Sequence, residues 1–283
     1  MRGLIDDAAI FPPGNAPLAR AVTEHRAHRR SGYAELVGPL LVGDRRLPEL
    51  DPLLDAGTRL DTGVVVTGGA GAIEPALVWA GRNDRIELRT VEIALRDEPD
   101  PARNAQRIST MLSTTLPDAA TASIEVPRIG DDRPDAGWFA ALDEIAASGH
   151  RMKYRTGGDE ASAFPSDKEL AAVISAALDR ELEFKCTAGL HHAVRHTAAD
   201  TGFEHHRFLN VILATRAALD GATDDDVAAI LGERDGETVA ARIRTTGETA
   251  LASARRWFVS FGSCSIHEPL DDLSALGLDT WER

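Results

Sequence analysis

Apolar runs of strand length alternate with segments of helical periodicity along the whole chain. Eight of these runs predict strands, at residues 3–11, 34–42, 62–69, 86–95, 121–127, 151–158, 182–189 and 257–265. Eight strands separated by helices favour an α/β fold of the parallel (β/α)8 (TIM) barrel type. A barrel of this kind needs about 250 residues. We therefore expect a single domain over residues 1–283.

The helix between the sixth and seventh strands has the clearest pattern. Ser166 followed by Glu169 has the spacing of a capping box. An apolar stripe of helical period follows, formed by Leu170, Val173, Ile174, Ala177 and Leu178. The segment predicts a strand–helix–strand unit, so the strands at 151–158 and 182–189 should be parallel neighbours.

Residues 204–256 show a helical pattern throughout, with Thr223 as the N-cap of the segment DDDVAAIL. In a barrel this is a helical insertion between strands 7 and 8. That loop opens on the catalytic face, so the insertion is either a lid or pocket wall, or extra packing or an oligomer interface.

A doubly wound open sheet is the alternative fold. It requires a glycine-rich phosphate turn after the first strand. The segment DDAAIFPPGN there is rich in proline and lacks the G-x-G-x-x-G spacing, and TGGAGA at 67–72 is a weak dinucleotide signal by itself. The barrel is therefore the preferred prediction.

Composition narrows the functional class. The formal net charge of −14 and the lack of a basic stripe exclude binding to a nucleic-acid backbone. No apolar run approaches the ~20 residues of a membrane span, and two cysteines give no metal-finger or disulfide pattern. These features predict a cytoplasmic protein that acts on a small molecule and could form a homo-oligomer.

In (β/α)8 barrels the chemistry lies at the carboxyl ends of the strands. Polar residues are dense at these ends here: Asp6, Asp7, Glu92, Glu125, Lys153, Arg155, Lys185, Thr187, His191, His192, Ser263 and Ser265. Alternation places Lys153 with Arg155, and Lys185 with Thr187, on one face of their strands. Glu92 and Glu125 interrupt apolar runs in the same way. We expect these four lysine and glutamate charges to pair inside the barrel mouth, because buried charges need partners.

The lysines themselves are informative. Only three of the 31 basic residues are lysines, at 153, 168 and 185. Arginine cannot lose its proton, whereas a desolvated lysine beside another cation can become a neutral nucleophile. We expect Lys153 and Arg155 to lower the pKa of Lys185. Lys185 is then the first candidate for a Schiff-base nucleophile and Lys153 for its electrostatic partner, while Lys168 is expected on the surface.

The segments KYRTGG and FKCTAG resemble the lysine strand ends of barrels of the deoxyribose-phosphate-aldolase type. That resemblance implies a class I aldolase mechanism in which one lysine forms the Schiff base and the other lowers its pKa. The two motifs occur in the reverse order here, so which lysine is the nucleophile stays open. The segments DDAAIFPP, FKCTAGLHH and GSCS with EPLDDL are similar to stretches of bacterial proteins of unknown function.

The predicted function is a Schiff-base lyase, aldolase or isomerase acting on a small anionic carbonyl compound, without a cofactor. Glu125, then Glu92, is the expected general acid or base, and Arg155 the expected holder of the anionic group. The other expected substrate-binding residues are Asp7, Thr156, Gly157, Gly158, Thr187, His191, His192, Ser263 and Ser265.

Two alternatives keep the same barrel face. His191, His192, His205 and His206 with Glu92, Glu125, Asp6 and Asp7 offer nitrogen and oxygen ligands for a divalent metal ion, as in a metal-dependent lyase or hydrolase. Against this, adjacent histidines seldom ligate one ion, and His205 and His206 are expected on the surface of the insertion. The second alternative is a barrel that binds a metabolite or a partner protein without catalysis.

Overall fold

Eight parallel strands close into a barrel in the computed structural model, which describes residues 1–55, 57–96, 98–129, 134–199 and 201–279. The barrel strands are β1 Ile5–Asp7, β2 Val37–Gly43, β3 Leu60–Val66, β4 Ile86–Ala94, β5 Thr121–Glu125, β6 Arg151–Arg155, β7 Phe184–Thr187 and β10 Phe258–Ser263. All eight predicted strands are confirmed. Because β1 pairs with β10, the sheet has no free edge, and the open-sheet alternative is wrong.

Helices connect most of these strands. They are α1 Leu18–His28, α2 Ile73–Gly81, α3 Pro101–Thr115, α4 Ala136–Ala147, α5 Asp167–Leu178, α6 Phe208–Leu219 and α10 His267–Ala275. The β2–β3 connection is a 3-10 segment at Asp44–Leu53 instead, since Pro48 and Pro52 lie inside it and lack the N–H that an α-helix needs. In the described parts of the chain, no helix is both long and apolar enough to cross a bilayer.

The unit formed by β6, α5 and β7 follows the sequence pattern closely. Ser166 accepts a hydrogen bond from the backbone N–H of Glu169 at 3.1 Å and so caps α5, as predicted. The apolar stripe of α5 is buried. On β6, Met152 and Tyr154 belong to the hydrophobic core, while the alternate residue Lys153 points to the other face. The strand therefore has an apolar outer face under the helices and a polar face inside the barrel.

Residues between β7 and β10 divide into two parts. The first part carries a small antiparallel pair, β8 His196–Thr197 and β9 Glu204–His205, so the expectation of helix from residue 204 is wrong there. The second part contains α6 and then α7 Asp224–Leu231, α8 Gly236–Thr246 and α9 Glu248–Arg255. Thr223 caps α7 with a full capping box, as predicted.

These inserted helices lie beside the barrel. Helix α6 is buried over most of its length and packs against β10, in the position of a normal barrel helix. Helix α7 packs against α5 and α6, and α9 packs against α6. Residues 208–256 are all described, and none of them lines the cavity at the barrel mouth. The inserted helices therefore supply extra packing, and the loop before them supplies the pocket wall.

Candidate functional site

Lys153 and Lys185 lie side by side inside the barrel. They are opposite each other in the β6–β7 register, and Glu125 on β5 is opposite Lys153. Lys153 is 5% exposed and Lys185 is 2% exposed. The prediction that the two lysine strands are parallel neighbours is confirmed.

Two carboxylates hold Lys153. Its Nζ lies 2.8 Å from Glu92 Oε2 and 2.9 Å from Glu125 Oε2. Glu125 also accepts a hydrogen bond from Arg155 Nε at 2.8 Å. The glutamate at 92 is part of strand β4, so its side chain is fixed by the sheet. With the contact between Lys185 and Glu92, the expected pairing of the four lysine and glutamate charges is confirmed, but Lys185 does not lie at the barrel mouth as expected.

Lys185 lies deeper in the barrel than Lys153 and is held by two other carboxylate contacts. Its ammonium contacts Asp6 Oδ2 and Glu92 Oε1, and Ser260 Oγ donates to Asp6 Oδ2 at 2.7 Å. Lys185 faces a small cavity of about 170 Å³, whose lining includes Arg151 at the start of β6. This second cavity is at the amino ends of the strands, away from the barrel mouth.

The neighbouring carboxylates keep both lysines protonated. Burial lowers the pKa of Lys185, but Asp6 and Glu92 outweigh burial and raise that pKa well above its usual value. Glu92 and Glu125 raise the pKa of Lys153 in the same way against burial. The expectation that neighbouring cations lower the pKa of Lys185 is wrong, because two carboxylates contact its ammonium directly. Both lysines are ammonium ions in the resting protein at neutral pH.

The glutamates are affected in the opposite direction. Burial raises the pKa of Glu92, but Lys153 and Lys185 outweigh burial and lower it to about 2. The pKa of Glu125 is also lowered, with Lys153 and Arg155 opposing burial. The result is a continuous row of alternating charges: Asp6, Lys185, Glu92, Lys153, Glu125 and Arg155.

A cavity of about 970 Å³ opens at the carboxyl ends of the strands. It exposes one end of the charge row. The predicted site residues that line it are Glu92, Glu125, Lys153, Arg155, Gly158, Thr187, His191 and His192. All three lysines are described, and only Lys153 is in the lining. A carbonyl compound in the cavity would therefore meet Lys153, not Lys185.

The other predicted site residues are outside the lining and have local contacts. Asp7 Oδ2 lies 2.9 Å from His25 Nδ1, and Asp7 Oδ1 accepts from Ala9 N. Ser263 donates to Ser265 O, and Ser265 Oγ accepts from Glu268 N at the start of α10. These three side chains hold loops in place around the mouth.

Thr156 and Gly157 join the β6 and β7 loops. Thr156 Oγ1 donates to Ala188 O at 2.6 Å. A Cβ on Gly157 would lie 3.0 Å from the Cα of Gly189, so glycine is needed there for the two loops to approach. Both residues shape the wall of the site without lining the cavity.

Of the four histidines considered in the sequence, His191 and His192 lie at the cavity as expected, whereas His205 and His206 do not lie on the surface. His191 lines the cavity, and its Nδ1 lies 3.1 Å from Glu268 Oε2 and 3.4 Å from Cys264 Sγ. Burial lowers the pKa of His191, but Cys264 and Glu268 outweigh burial and raise that pKa to about 9. His205 lines the cavity and His206 is fully buried, so the expectation that both are surface residues is wrong. His206 Nε2 donates to Pro165 O at 2.8 Å, and burial together with Arg195 lowers its pKa to about 3.

Arg207 is a site residue that sequence reasoning missed. It precedes α6, is 2% exposed, and lines the cavity together with His196 and His205. The only signal for Arg207 in the sequence is the polar string EHHR directly before an apolar helix.

The two cysteines lie in different surroundings. Cys264 lines the cavity, whereas Cys186 is buried, and burial raises the pKa of Cys186 to about 12.

The metal alternative depends on carboxylates and histidines that converge. Asp6, Glu92 and Glu125 are instead neutralised by the two lysines, and His206 is held by Pro165. Within the described ranges, no group of three or more His, Cys, Asp or Glu side chains is placed to hold a metal ion.

Comparison with known proteins found no match for this chain among protein-family profiles, curated proteins or solved structures. The structure supports the barrel fold, and these comparisons give no support to the likeness of KYRTGG and FKCTAG to aldolase strand ends.

Proposed function

We propose that this protein is an enzyme that forms a Schiff base between Lys153 and a small anionic carbonyl compound, acting as a lyase, aldolase or isomerase. The observation that carries the proposal is the position of Lys153, which is the lysine on the cavity wall and lies between two carboxylates. The nucleophile is thus assigned to Lys153, and Lys185 becomes its buried electrostatic neighbour.

Lys153 must first lose a proton. Glu125 is the best acceptor, because its Oε2 lies 2.9 Å from Lys153 Nζ and its side chain is 12% exposed against 1% for Glu92. A substrate that excludes water and draws Arg155 away from Glu125 would raise the pKa of this carboxyl group and favour the transfer. Burial then favours the neutral amine of Lys153.

The neutral Nζ adds to the carbonyl carbon and gives a carbinolamine. The former carbonyl oxygen leaves as water, and its two protons come from the original ammonium through the carboxyl group of Glu125. The iminium that results withdraws electrons from the neighbouring carbon atoms. Glu125 or Glu92 can then remove a proton from carbon or from a hydroxyl group, which leads to isomerisation or to cleavage of a C–C bond.

Lys185 has a supporting part in this scheme. It holds Glu92 ionised from the far side, because its ammonium contacts Glu92 Oε1 while Lys153 contacts Glu92 Oε2. Glu92 in turn fixes the position of Lys153. Lys185 therefore acts on the nucleophile through one shared carboxylate.

Borohydride trapping tests the proposal. The protein is incubated with small phosphorylated or carboxylated aldehydes and ketones, reduced, digested and analysed by mass spectrometry. We expect the substrate mass on the peptide that contains Lys153. Lys153→Arg should abolish trapping and leave the circular dichroism spectrum unchanged. Lys168→Arg is the matched control, because Lys168 is exposed and its nearest carboxylate is 3.7 Å away.

Glu125→Gln adds a second measurement. We expect turnover to fall by about 10²–10⁴, the usual effect of a general acid or base, with trapping slowed but still on Lys153. Full activity of Lys153→Arg would reject the Schiff-base mechanism. Loss of activity on chelation, with recovery on adding a metal ion, would favour the metal-dependent alternative.

Four further expectations stay predictions: the cytoplasmic location, the lack of nucleic-acid partners, the single domain and homo-oligomer formation.

A further inference from the structure

Arg207 is a buried cation without a carboxylate partner. The residue is 2% exposed, and among the described residues no Asp or Glu forms an ion pair with its guanidinium. Arg195, the other buried arginine of the same loop, pairs with Asp167 at 2.8 Å. Burying an unpaired ion costs several kcal/mol, so buried arginines normally have an anionic partner. The position of Arg207 therefore requires an explanation.

Neutral groups orient the guanidinium. Arg207 donates to the backbone oxygens of Gly189 and His206, and Nη2 donates to His196 Nε2 at 2.9 Å. Nη1 also lies 3.3 Å from His205 Nδ1. These contacts fix the direction of the side chain, but they do not neutralise its charge.

The surroundings of Arg207 favour an anion. Burial and the charge of Arg207 lower the pKa of His205 to about 4, and the same two causes lower the pKa of His196. Both rings are therefore neutral at pH 7. Their ring nitrogens contact Arg207, Val194 O and the backbone of Gly189, so an anion gains a ring N–H donor by replacing one of the two backbone contacts. His191, in the same cavity, is an imidazolium at that pH, because its pKa is raised to about 9.

Arg155 is less suitable for the same task. Its Nε already pairs with Glu125 at 2.8 Å, so much of its charge is neutralised. In the described part of the chain, the carboxylates that act on Arg207 are Asp272 and Glu268, and neither forms an ion pair with it. A third arginine of the lining, Arg96, is exposed to solvent and donates to Gly68 O, so Arg207 is the buried arginine of the described lining that has no ion pair.

We propose that Arg207, with His196 and His205, binds the oxyanion group of a small ligand in this cavity, either a phosphate or a carboxylate. The binding site exists independently of the chemistry at Lys153. Its identification as the anchor of the substrate rests on the proposed function. The planar guanidinium and the two imidazoles, whose rings stack with centroids 5.9 Å apart, line one part of the cavity, and a guanidinium with several N–H groups suits an oxyanion.

Calorimetric titration at pH 7 tests the binding site, with inorganic phosphate and acetate as separate probes in a low-chloride zwitterionic buffer. We expect saturable binding to the wild-type protein, tighter for phosphate. Arg207→Gln keeps donor groups and removes the charge, and should weaken binding by at least about thirtyfold, the effect of truncating one member of a buried charge pair. Arg46→Gln is the matched control, because Arg46 pairs with Glu49 on the surface and does not line the cavity, and it should change the affinity by less than about threefold.

A measurement on the wild-type protein covers the case in which Arg207→Gln does not fold. Bound phosphate should raise the pKa of His196 and His205 in proton NMR titrations, since an adjacent anion favours the charged ring. Arg207→Lys, which keeps the charge but not the planar fork, should bind more weakly than wild type. Neither probe binding to wild type, or equal affinity in Arg207→Gln, would overturn the proposal. Phosphate binding without borohydride trapping would keep this site and reject the Schiff base, and the reverse result would do the opposite.

Discussion

Lys185→Met tests whether the charge row inside the barrel has the partners described. Methionine has a similar length but no charge, so the change removes the ammonium that contacts both Asp6 and Glu92. Glu92 keeps Lys153 as a partner. Among the described residues, Asp6 keeps the hydroxyl of Ser260 as a hydrogen-bond partner and Arg255 as a more distant positive charge, and neither replaces the direct contact with an ammonium. We expect Asp6 to take up a proton in the folded variant.

The free-energy cost of protonating Asp6 sets the expected loss of folding stability in the variant. Burial already raises the pKa of Asp6 in the wild-type protein, against the opposing charge of Lys185. Holding a carboxyl group of ordinary pKa 3.8 neutral at pH 7 costs about 4 kcal/mol, at 1.36 kcal/mol per unit, so this figure is the upper limit of the expected loss. This agrees with the about 3–5 kcal/mol lost when one partner of a buried ion pair is removed. Since domains are stable by about 5–15 kcal/mol, the variant should still fold.

The pH dependence has a definite sign. The folded variant binds one more proton than its unfolded chain at pH 7, so the free energy of unfolding falls as pH rises, by about 1.4 kcal/mol per unit. The deficit relative to wild type should shrink from at most about 4 kcal/mol at pH 7 to at most about 1.5 kcal/mol at pH 5.

Urea denaturation followed by circular dichroism at pH 7, 6 and 5 measures this deficit. Lys168→Met is the control, and should change the free energy of unfolding by less than about 0.5 kcal/mol because Lys168 is exposed. A loss in Lys185→Met below about 1 kcal/mol at pH 7, or a loss that does not depend on pH, would refute the description of the charge row.

Three further outcomes are expected. Gly189→Ala should destabilise the fold by about 1–3 kcal/mol in thermal melts, because φ is +81° there and a Cβ would lie 2.7 Å from Thr156 O; an unchanged melting temperature would contradict this. Because the pKa of Glu92 is lowered to about 2, the stabilisation by ionised Glu92 should be complete above about pH 5 and should be lost as the pH falls toward 2. Acid titration of the wild-type protein and of Glu92→Gln, followed by circular dichroism, measures this difference. Iodoacetamide should label Cys264, which lines the cavity, and spare Cys186, which is buried; labelling of Cys186 alone in mass spectra would contradict the placement.

Local patterns in the sequence were enough for the architecture. Eight apolar runs alternate with helical segments, and each run became a barrel strand. Strand alternation also settled which way Lys153 and Lys185 point, because side chains on a strand alternate between two faces with a period of two. The caps at Ser166 and Thr223 depend on contacts three residues apart, so they too could be predicted.

The partners of the lysines were harder to predict. Glu92 lies on β4 and Lys185 on β7, so their contact crosses the barrel interior rather than joining neighbouring strands. Asp6 reaches Lys185 from β1. Which residues meet inside a barrel depends on how far each strand is staggered when the sheet closes. The stagger is not visible in any one segment, and the pKa of Lys185 was therefore predicted in the wrong direction.

The depth of each side chain and the course of the loops were decided only by the tertiary structure. Lys153 and Lys185 have the same pattern in sequence, yet Lys153 lines the mouth and Lys185 faces the opposite end. Arg207 reaches the cavity because the loop after β7 folds back over the barrel before α6 begins. A strand's direction is a local property, fixed by backbone geometry at each residue. Depth and loop placement depend on the packing of distant segments against one another, which no local pattern encodes.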